Sequence, residues 1–486
     1  MKKIYTIIIL TFILSNIYSQ TVYHTRINYI HGMNGTGQSL IRLKQYMSSW
    51  QTSQQLNPTL ILDPVSYTSP KGIEESANMV HANITADANY YKATKRIVIA
   101  HSMGGLVARQ WFNNVKTTTG KQAYNGLITI NTPHLGAPIA NLLSTDKGKE
   151  FFVDQLKDAI DKIIEGPKSD SYCTAKANFT NPILKLSTAG TVDVVLDFVF
   201  NKIFDKVYDV LVNMIDTKSY LQNSVAGSNK VLDDLSVGSP VINAINSQDS
   251  YTPTAAAPYD TKTFKIAFWG DAKDNQVFRM IGNSFYIDGK GTATDGLYTV
   301  PESEEMDLQL IKMINQVKDH YNERIDHYNT QINRLLGFGI ITANPSTLAN
   351  IAFYKDKKAK YERSRNYLTN DFHTMFASLL GLRSIEYITK TSVTQECVIL
   401  KIGCETVTRT YQEPIIVEKV NDGLVPQASQ IGNFGAFPIL LDKMNHEGVK
   451  VHYLTGVAMK NLMYGANRDL LYNASSHYSF YKLYNY

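Results

Sequence analysis

Cysteine is scarce in this chain. Cys173, Cys397 and Cys404 are the only three among 486 residues, which excludes a disulfide-built scaffold and leaves no set with zinc-ligand spacing. Cys397 and Cys404 flank residues 398–403 in an alternating, β-like stretch, where they could bridge a hairpin with Cys173 left over. An excess of one charge is lacking too. The formal net charge is +5, about +3 once Lys2 and Lys3 are set aside, and no stripe of Lys and Arg gathers anywhere, so nucleic acid is not an expected partner. There is no internal repeat and no low-complexity tract. Beyond the N-terminus no segment reads as a transmembrane helix.

What is present is a globular composition, 44% hydrophobic and 19% charged, on a chain long enough for two or three domains or for one domain with large insertions. Thirty tyrosines predict an aromatic-rich surface or groove. Residues 1–19 read as a secretory leader: Lys2 and Lys3, an apolar stretch from Ile4 to Leu14, then Ile17-Tyr18-Ser19 before Gln20. The apolar stretch is short for a membrane span and no cysteine sits at the cleavage site. The expectation is therefore cleavage near Ser19-Gln20 and a secreted, periplasmic or cell-surface protein.

The most informative segment is Ile97 to Arg109, IVIAHSMGGLVAR. An apolar strand turns through small residues carrying Ser102 and runs on as a helix. A serine hydroxyl becomes a nucleophile only when it is held exposed beside a base, and a sharp strand-to-helix turn does this. Ala100 stands at the first glycine of G-x-S-x-G, and Gly104 and Gly105 follow. Further apolar strands, Arg26 to Ile30, Leu60 to Val65, Gly126 to Asn131 and Phe264 to Trp269, alternate with helical stretches and predict a parallel α/β sheet.

A serine nucleophile of this kind needs a base, an acid and an oxyanion hole, with the base last in the chain. His446, in the polar loop Lys443 to Gly448, is the favoured base over His452, in a strand-like stretch, and His477, in the tail. The favoured acid is Asp422 in Val420 to Pro426, after an apolar strand Pro414 to Val417. Asp274, beside Asp271 after Phe264 to Trp269, is the alternative acid. One oxyanion amide belongs to Met103, and Met33, in the loop His31 to Gly35, is the expected second donor. That loop has spaced glycines but no following lysine, which excludes a phosphate loop.

Two insertions interrupt the pattern. In the first, residues 144–232, the segment Val192 to Ile215 is mostly apolar, with a stripe of Asp193, Asp197, Asn201, Asp205, Asp209 and Asn213 and with Lys202 and Lys206 beside it. It is a core helix or a candidate lid. In the second, residues 300–385, Ile314, Val317, Tyr321, Ile325, Tyr328, Ile332 and Leu335 step by three and four and predict a long amphipathic helix. Breaks at Gly337, Gly339 and Asn344-Pro345 lead to a second helix with Tyr354, Tyr361 and Tyr367. The pair predicts an antiparallel hairpin packed on the catalytic body.

With these parts in place the chain resembles secreted lipases of the α/β-hydrolase superfamily, the bacterial true lipases and the GPI inositol-deacylase-like proteins. The resemblance is carried by His31-Gly32-Met33, Ala100 to Gly105, Asn131 to Pro138, Asp234 to Pro240, Asn421 to Pro426 and His446. It implies an α/β-hydrolase fold, a mostly parallel sheet with helices on both faces and two largely helical insertions. The core would comprise residues 20–143, 233–299 and 386–486. It implies that Asp422 is the acid and that His134 lines or supports the site. The activity implied is hydrolysis of lipid or acyl esters, with transient contact to a lipid surface. Phospholipid cleavage, inositol deacylation and acyl transfer use the same triad. An amidase and a non-catalytic binding protein are the readings of other kinds. No cofactor is called for; a calcium ion near the acid and base loops is compatible with the resemblance, and the sequence names no ligands for one.

Overall fold

The computed structural model describes residues 25–33, 35–53, 59–61, 67, 71–87, 90, 93, 95–169, 230–249, 252, 263–284, 296–339, 344–397 and 404–464. The leader, Cys173, the segment 192–215 and His477 lie outside them. Among the described residues there are eight strands: β1 Thr25–Ile30, β2 Thr59–Ile61, β3 Lys95–His101, β4 Gly126–Ile130, β5 Phe264–Asp271, β6 Arg383–Cys397, β7 Cys404–Glu418 and β8 Phe437–Asp442. Six of them form one sheet in the order β2-β1-β3-β4-β5-β8, and every pairing in it is parallel.

Parallel strands are joined by crossovers that cover both faces, so their residues are apolar on both sides. That is what these sequences encode. Ile27, Tyr29, Ile97, Ile99, Ile128, Ile130, Ile266 and Phe268 alternate onto one face. There they meet Leu43 and Met47 of the helix Ile41–Ser53 and Met459 and Leu462 of the helix Tyr453–Tyr464. Ile30, Val98, Ala100, Leu127 and Ala267 take the other face. They pack against the helices Ile73–Thr85 and Met103–Thr119.

The second insertion is helical as expected. Val300–Asp307 opens it with a capping box between Thr299 and Glu302. Gln309–Gly339 and Pro345–Asn366 follow, with Asn344 accepting from the Ser346 N–H at 3.0 Å as the second helix begins. The predicted stripe from Ile314 to Ile332 is buried. Ring contacts of Tyr321 with Tyr361 (5.6 Å) and Tyr328 with Tyr354 (6.0 Å) run in opposite chain directions, as an antiparallel pair requires. The hairpin sits on the first insertion as well as on the core: the Tyr321 hydroxyl donates to the Ile163 carbonyl at 2.8 Å, and the Ser364 hydroxyl to that of Lys162 at 2.9 Å.

The apolar strand Pro414 to Val417 is present as the end of β7; among the described residues β7 pairs with β6, from Arg383 opposite Glu418 to Cys397 opposite Cys404, and not with the main sheet. The ribbon satisfies its own backbone across fifteen positions and leaves Tyr387, Val393 and Ile416 more than 60% exposed, so its alternation does not mark a core strand. The strand that does complete the sheet is β8, not expected from the sequence. Its Pro438, opposite Ala267, is tolerated because β8 is an edge strand, where a missing N–H faces no neighbour.

Candidate active site

The site lies at the carboxyl end of the sheet, where open α/β sheets bind ligands. β3 ends at His101, Ser102 makes the turn, and the helix starts at Met103. Ser102 has φ 53° and ψ −132°, a backbone strained for any residue with a side chain. Its N–H donates to the Ile130 carbonyl at 2.9 Å, which fixes the turn to β4. The glycines are required by what lies against them. A Cβ on Gly32 would stand 2.8 Å from Ser102 Cβ, one on Gly104 would run into the backbone carbonyls of Ile30 and His31, and one on Gly105 into the Thr132 side chain. The His31–Met33 loop is thereby drawn onto the turn. As the first residue of its helix, Met103 has an N–H with no partner inside the helix.

The loop of Asp422, which follows β7, and the loop of His446, which follows β8, converge at the end of β5. Gln430, fully buried, accepts from the Gly270 N–H at 2.8 Å and donates to the Gly270 and Val425 carbonyls at 3.2 and 2.8 Å. The Ala272 N–H donates to the Asn421 carbonyl at 3.0 Å. These bonds hold the loop of Asp422 to the end of β5. The His446 N–H donates to the Asp422 carbonyl at 2.8 Å, and the His101 ring donates through Nε2 to the His446 carbonyl at 2.9 Å. Burial pushes His101 well below its ordinary value, with Lys450 and His446 acting in the same direction, so it serves as a neutral donor.

The structure brings Ser102, His446 and Asp422 into one line. His446 Nε2 is 2.9 Å from Ser102 Oγ, and Nδ1 is 2.8 Å from Asp422 Oδ2. Asp422 Oδ1 accepts from the N–H groups of Leu424 (3.0 Å) and Val425 (2.7 Å). With both of its oxygens engaged, the buried carboxylate assigns the ring proton to Nδ1 and leaves the Nε2 lone pair facing the serine hydroxyl. Ser102 is partly exposed, while Asp422 and His446 are buried. The Ser102 side chain is therefore open to solvent in part and the Asp422 carboxylate is not.

Asp274 is exposed and not joined to His446. The neighbouring Asp271 carboxylate is taken by the backbone N–H and ammonium of Lys273. His134 is buried beneath the site in a separate polar cluster, 3.2 Å from Arg109 Nη1 and 3.1 Å from Thr129 Oγ1. Burial drives it well below its usual value, and Arg109 and Lys265 add to this. His452 does not lie in a strand: it forms an isolated bridge with Tyr298, accepts from the Leu454 N–H at 3.0 Å, and is lowered by burial to about 4. Burial alone would raise Glu447, but Lys450 at 2.5 Å, with His101 and His446, holds its carboxyl down to about 2. Among the described residues no cluster of three or more His, Cys, Asp or Glu is placed to hold a metal ion. No described helix is long and apolar enough to cross a membrane. Gln430 and Asn445 were not legible as site residues, because buried amides carry no spacing signal.

Residues 66–221 match the family described as PGAP1-like alpha/beta domain. Similar solved structures include the phospholipase PlaB from Legionella pneumophila, 14% identical with TM-score 0.29, the match covering 52% of this chain and 39% of that one. An extracellular alpha/beta-hydrolase from a Paenibacillus species is 17% identical with TM-score 0.20, over 28% of this chain and 52% of that one. A lipase-esterase related protein from Clostridium acetobutylicum is 14% identical with TM-score 0.19, over 28% and 48%. The chain thus spans well under two thirds of the length of each of these proteins. No curated relative matches the sequence. The parallel sheet with its strand–Ser102–helix turn gives the chain an α/β-hydrolase fold, and residues 66–221 of it are similar to the PGAP1-like alpha/beta domain.

Proposed function

We propose that the protein is a secreted serine hydrolase that cleaves carboxylic esters of lipid or acyl type through an acyl-Ser102 intermediate. The observation that carries this reading is the His446 ring, bonded at one nitrogen to Ser102 and at the other to buried Asp422. In the reaction Ser102 Oγ attacks the ester carbonyl carbon as its proton passes to His446 Nε2. Asp422 stabilises the imidazolium and holds its tautomer. The negative charge on the former carbonyl oxygen falls to the N–H groups of Met33 and Met103. The tetrahedral species collapses as His446 gives its proton to the departing alkoxide oxygen. Water then repeats the sequence on the acyl-enzyme and releases the acid. No step calls for a cofactor.

A lipid or acyl substrate is supported by apolar side chains on the loops that carry the proposed oxyanion amide and Asp422. Met33 and Leu424 are half-buried against the apolar cluster, one next to the proposed oxyanion amide and one two residues from the acid. The test is hydrolysis of nitrophenyl esters of increasing acyl length, with Ser102→Ala as control. The proposal expects turnover that rises from acetate to longer chains and disappears in the variant. Absence of turnover on every chain length would refute it. Assays with a phospholipid and with an alcohol acceptor assign the product to phospholipid cleavage, deacylation or acyl transfer.

A further inference from the structure

The second helical insertion reaches the base loop through one buried carboxylate. Asp307 is the last residue of the helix Val300–Asp307. Its Oδ1 accepts from Asn445 Nδ2 at 2.9 Å and also from Asn283 Nδ2. Asn445 directly precedes His446. Its own side-chain oxygen accepts from the N–H groups of Glu447 at 3.1 Å and Gly448 at 2.7 Å, so the one amide folds the turn on which the histidine is mounted. Asp307, Asn283 and Asn445 are all at least 94% buried, and the packing leaves no slack. A Cβ on Gly448 would stand 2.6 Å from Asn283 Nδ2, and one on Gly282 2.9 Å from the Asp307 carbonyl. Arg279 Nη1 lies 4.0 Å from the other carboxylate oxygen and supplies the countercharge.

We infer that Asp307 is a positioning residue for His446, fixing the base loop through Asn445 so that the docking of the helical insertion sets the Ser102–His446 geometry. It touches neither Ser102 nor the imidazole. Its effect reaches the reaction through the orientation of the ring, and reacting groups displaced by about 1 Å lose on the order of a hundredfold in rate. An amide at position 307 keeps an oxygen that can accept from Asn445, whereas a methyl group does not.

The inference rests on the reading of Ser102 and His446 as nucleophile and base, so active sites are first titrated in the wild type with a fluorophosphonate. No adduct in the wild type removes that reading itself. With the adduct present, Asp307→Ala and Asn445→Ala are expected to lower kcat per titrated site at least tenfold with KM within threefold. Asp307→Asn should restore kcat to within threefold of wild type. A loss of fold alone would lower the number of titratable sites and leave kcat per site unchanged. Asn445→Ala severs the same bond from the other side, so the test stands even if Asp307→Ala does not fold. The inference is overturned if kcat per site in the alanine variants stays within threefold of wild type, or if Asp307→Asn falls as far as Asp307→Ala.

Discussion

Replacing Asp422 by Asn changes one atom, and the hydrogen bonds around the carboxylate dictate the consequence. Asp422 Oδ1 faces two backbone donors, the N–H groups of Leu424 and Val425. An asparagine placed here must keep its carbonyl oxygen on that side, because turning the NH2 towards these two N–H groups would leave three donors without acceptors, at up to about 1–3 kcal/mol each. The NH2 group is then forced towards His446 Nδ1, which must accept. The imidazole proton moves to Nε2, where it faces Ser102 Oγ, and the base can no longer take the hydroxyl proton. Inverting the tautomer in this way costs about 10⁴-fold in kcat, or about 5.5 kcal/mol of transition-state stabilisation. Because every hydrogen bond of the loop survives, the melting temperature should stay within a few degrees of wild type. The assay is nitrophenyl ester hydrolysis alongside thermal unfolding. A folded Asp422→Asn enzyme with activity within tenfold of wild type would refute the assignment of both the acid and the tautomer.

Gly104→Ala gains up to about 1 kcal/mol of helix propensity but drives a methyl group into the Ile30 and His31 carbonyls. We expect a net destabilisation of roughly 1–3 kcal/mol, read by denaturant unfolding, and lower kcat because the Met33 loop is pushed off the turn. Asp307 gives a pH signature in stability. Burial raises its carboxyl to about 7, against the lowering effects of Arg279, Asn283 and Asn445 and with Glu304 adding to the rise. A carboxyl raised on folding binds its proton more tightly in the native state, so stability falls as pH rises from about 4, the unfolded value, through about 7. Asp307→Asn should flatten that part of the stability–pH curve and be the more stable protein at pH 8, by an amount on the order of 1–4 kcal/mol. Equal slopes in chemical denaturation from pH 4 to 8 would contradict the raised carboxyl.

The sheet was legible wherever strands are buried on both faces. Ile97 to Ala100, Gly126 to Ile130 and Phe264 to Trp269 are short apolar runs closed by turn residues, and each is a central strand of the sheet. β8 was not legible, because Pro438 and an exposed Leu440 break the run that a central strand would show. The alternating stretch around Cys397 and Cys404, read from the sequence as β-like and able to form a hairpin, is the antiparallel pair β6 and β7. The structure draws together Ser102, Asp422 and His446, which loop chemistry and chain order had singled out, and leaves Asp274 apart. The residues that hold them did not announce themselves. Gln430, Asn445 and Asp307 work through buried hydrogen bonds between segments up to 160 residues apart, and nothing local to a buried amide or carboxylate marks such a partner. The long helix of the second insertion was plain from its stripe of Ile and Tyr, whereas its link to the base loop depends on the packing of Asp307.

The central claim is that Ser102 is a nucleophile activated by His446. It is tested most directly by reacting the protein with a fluorophosphonate and mapping the adduct by peptide mass spectrometry. The account predicts a single adduct on Ser102, absent in Ser102→Ala and formed at least a hundredfold more slowly in His446→Ala. An unmodified Ser102 in the folded wild type, or an adduct that forms equally fast without His446, would contradict it.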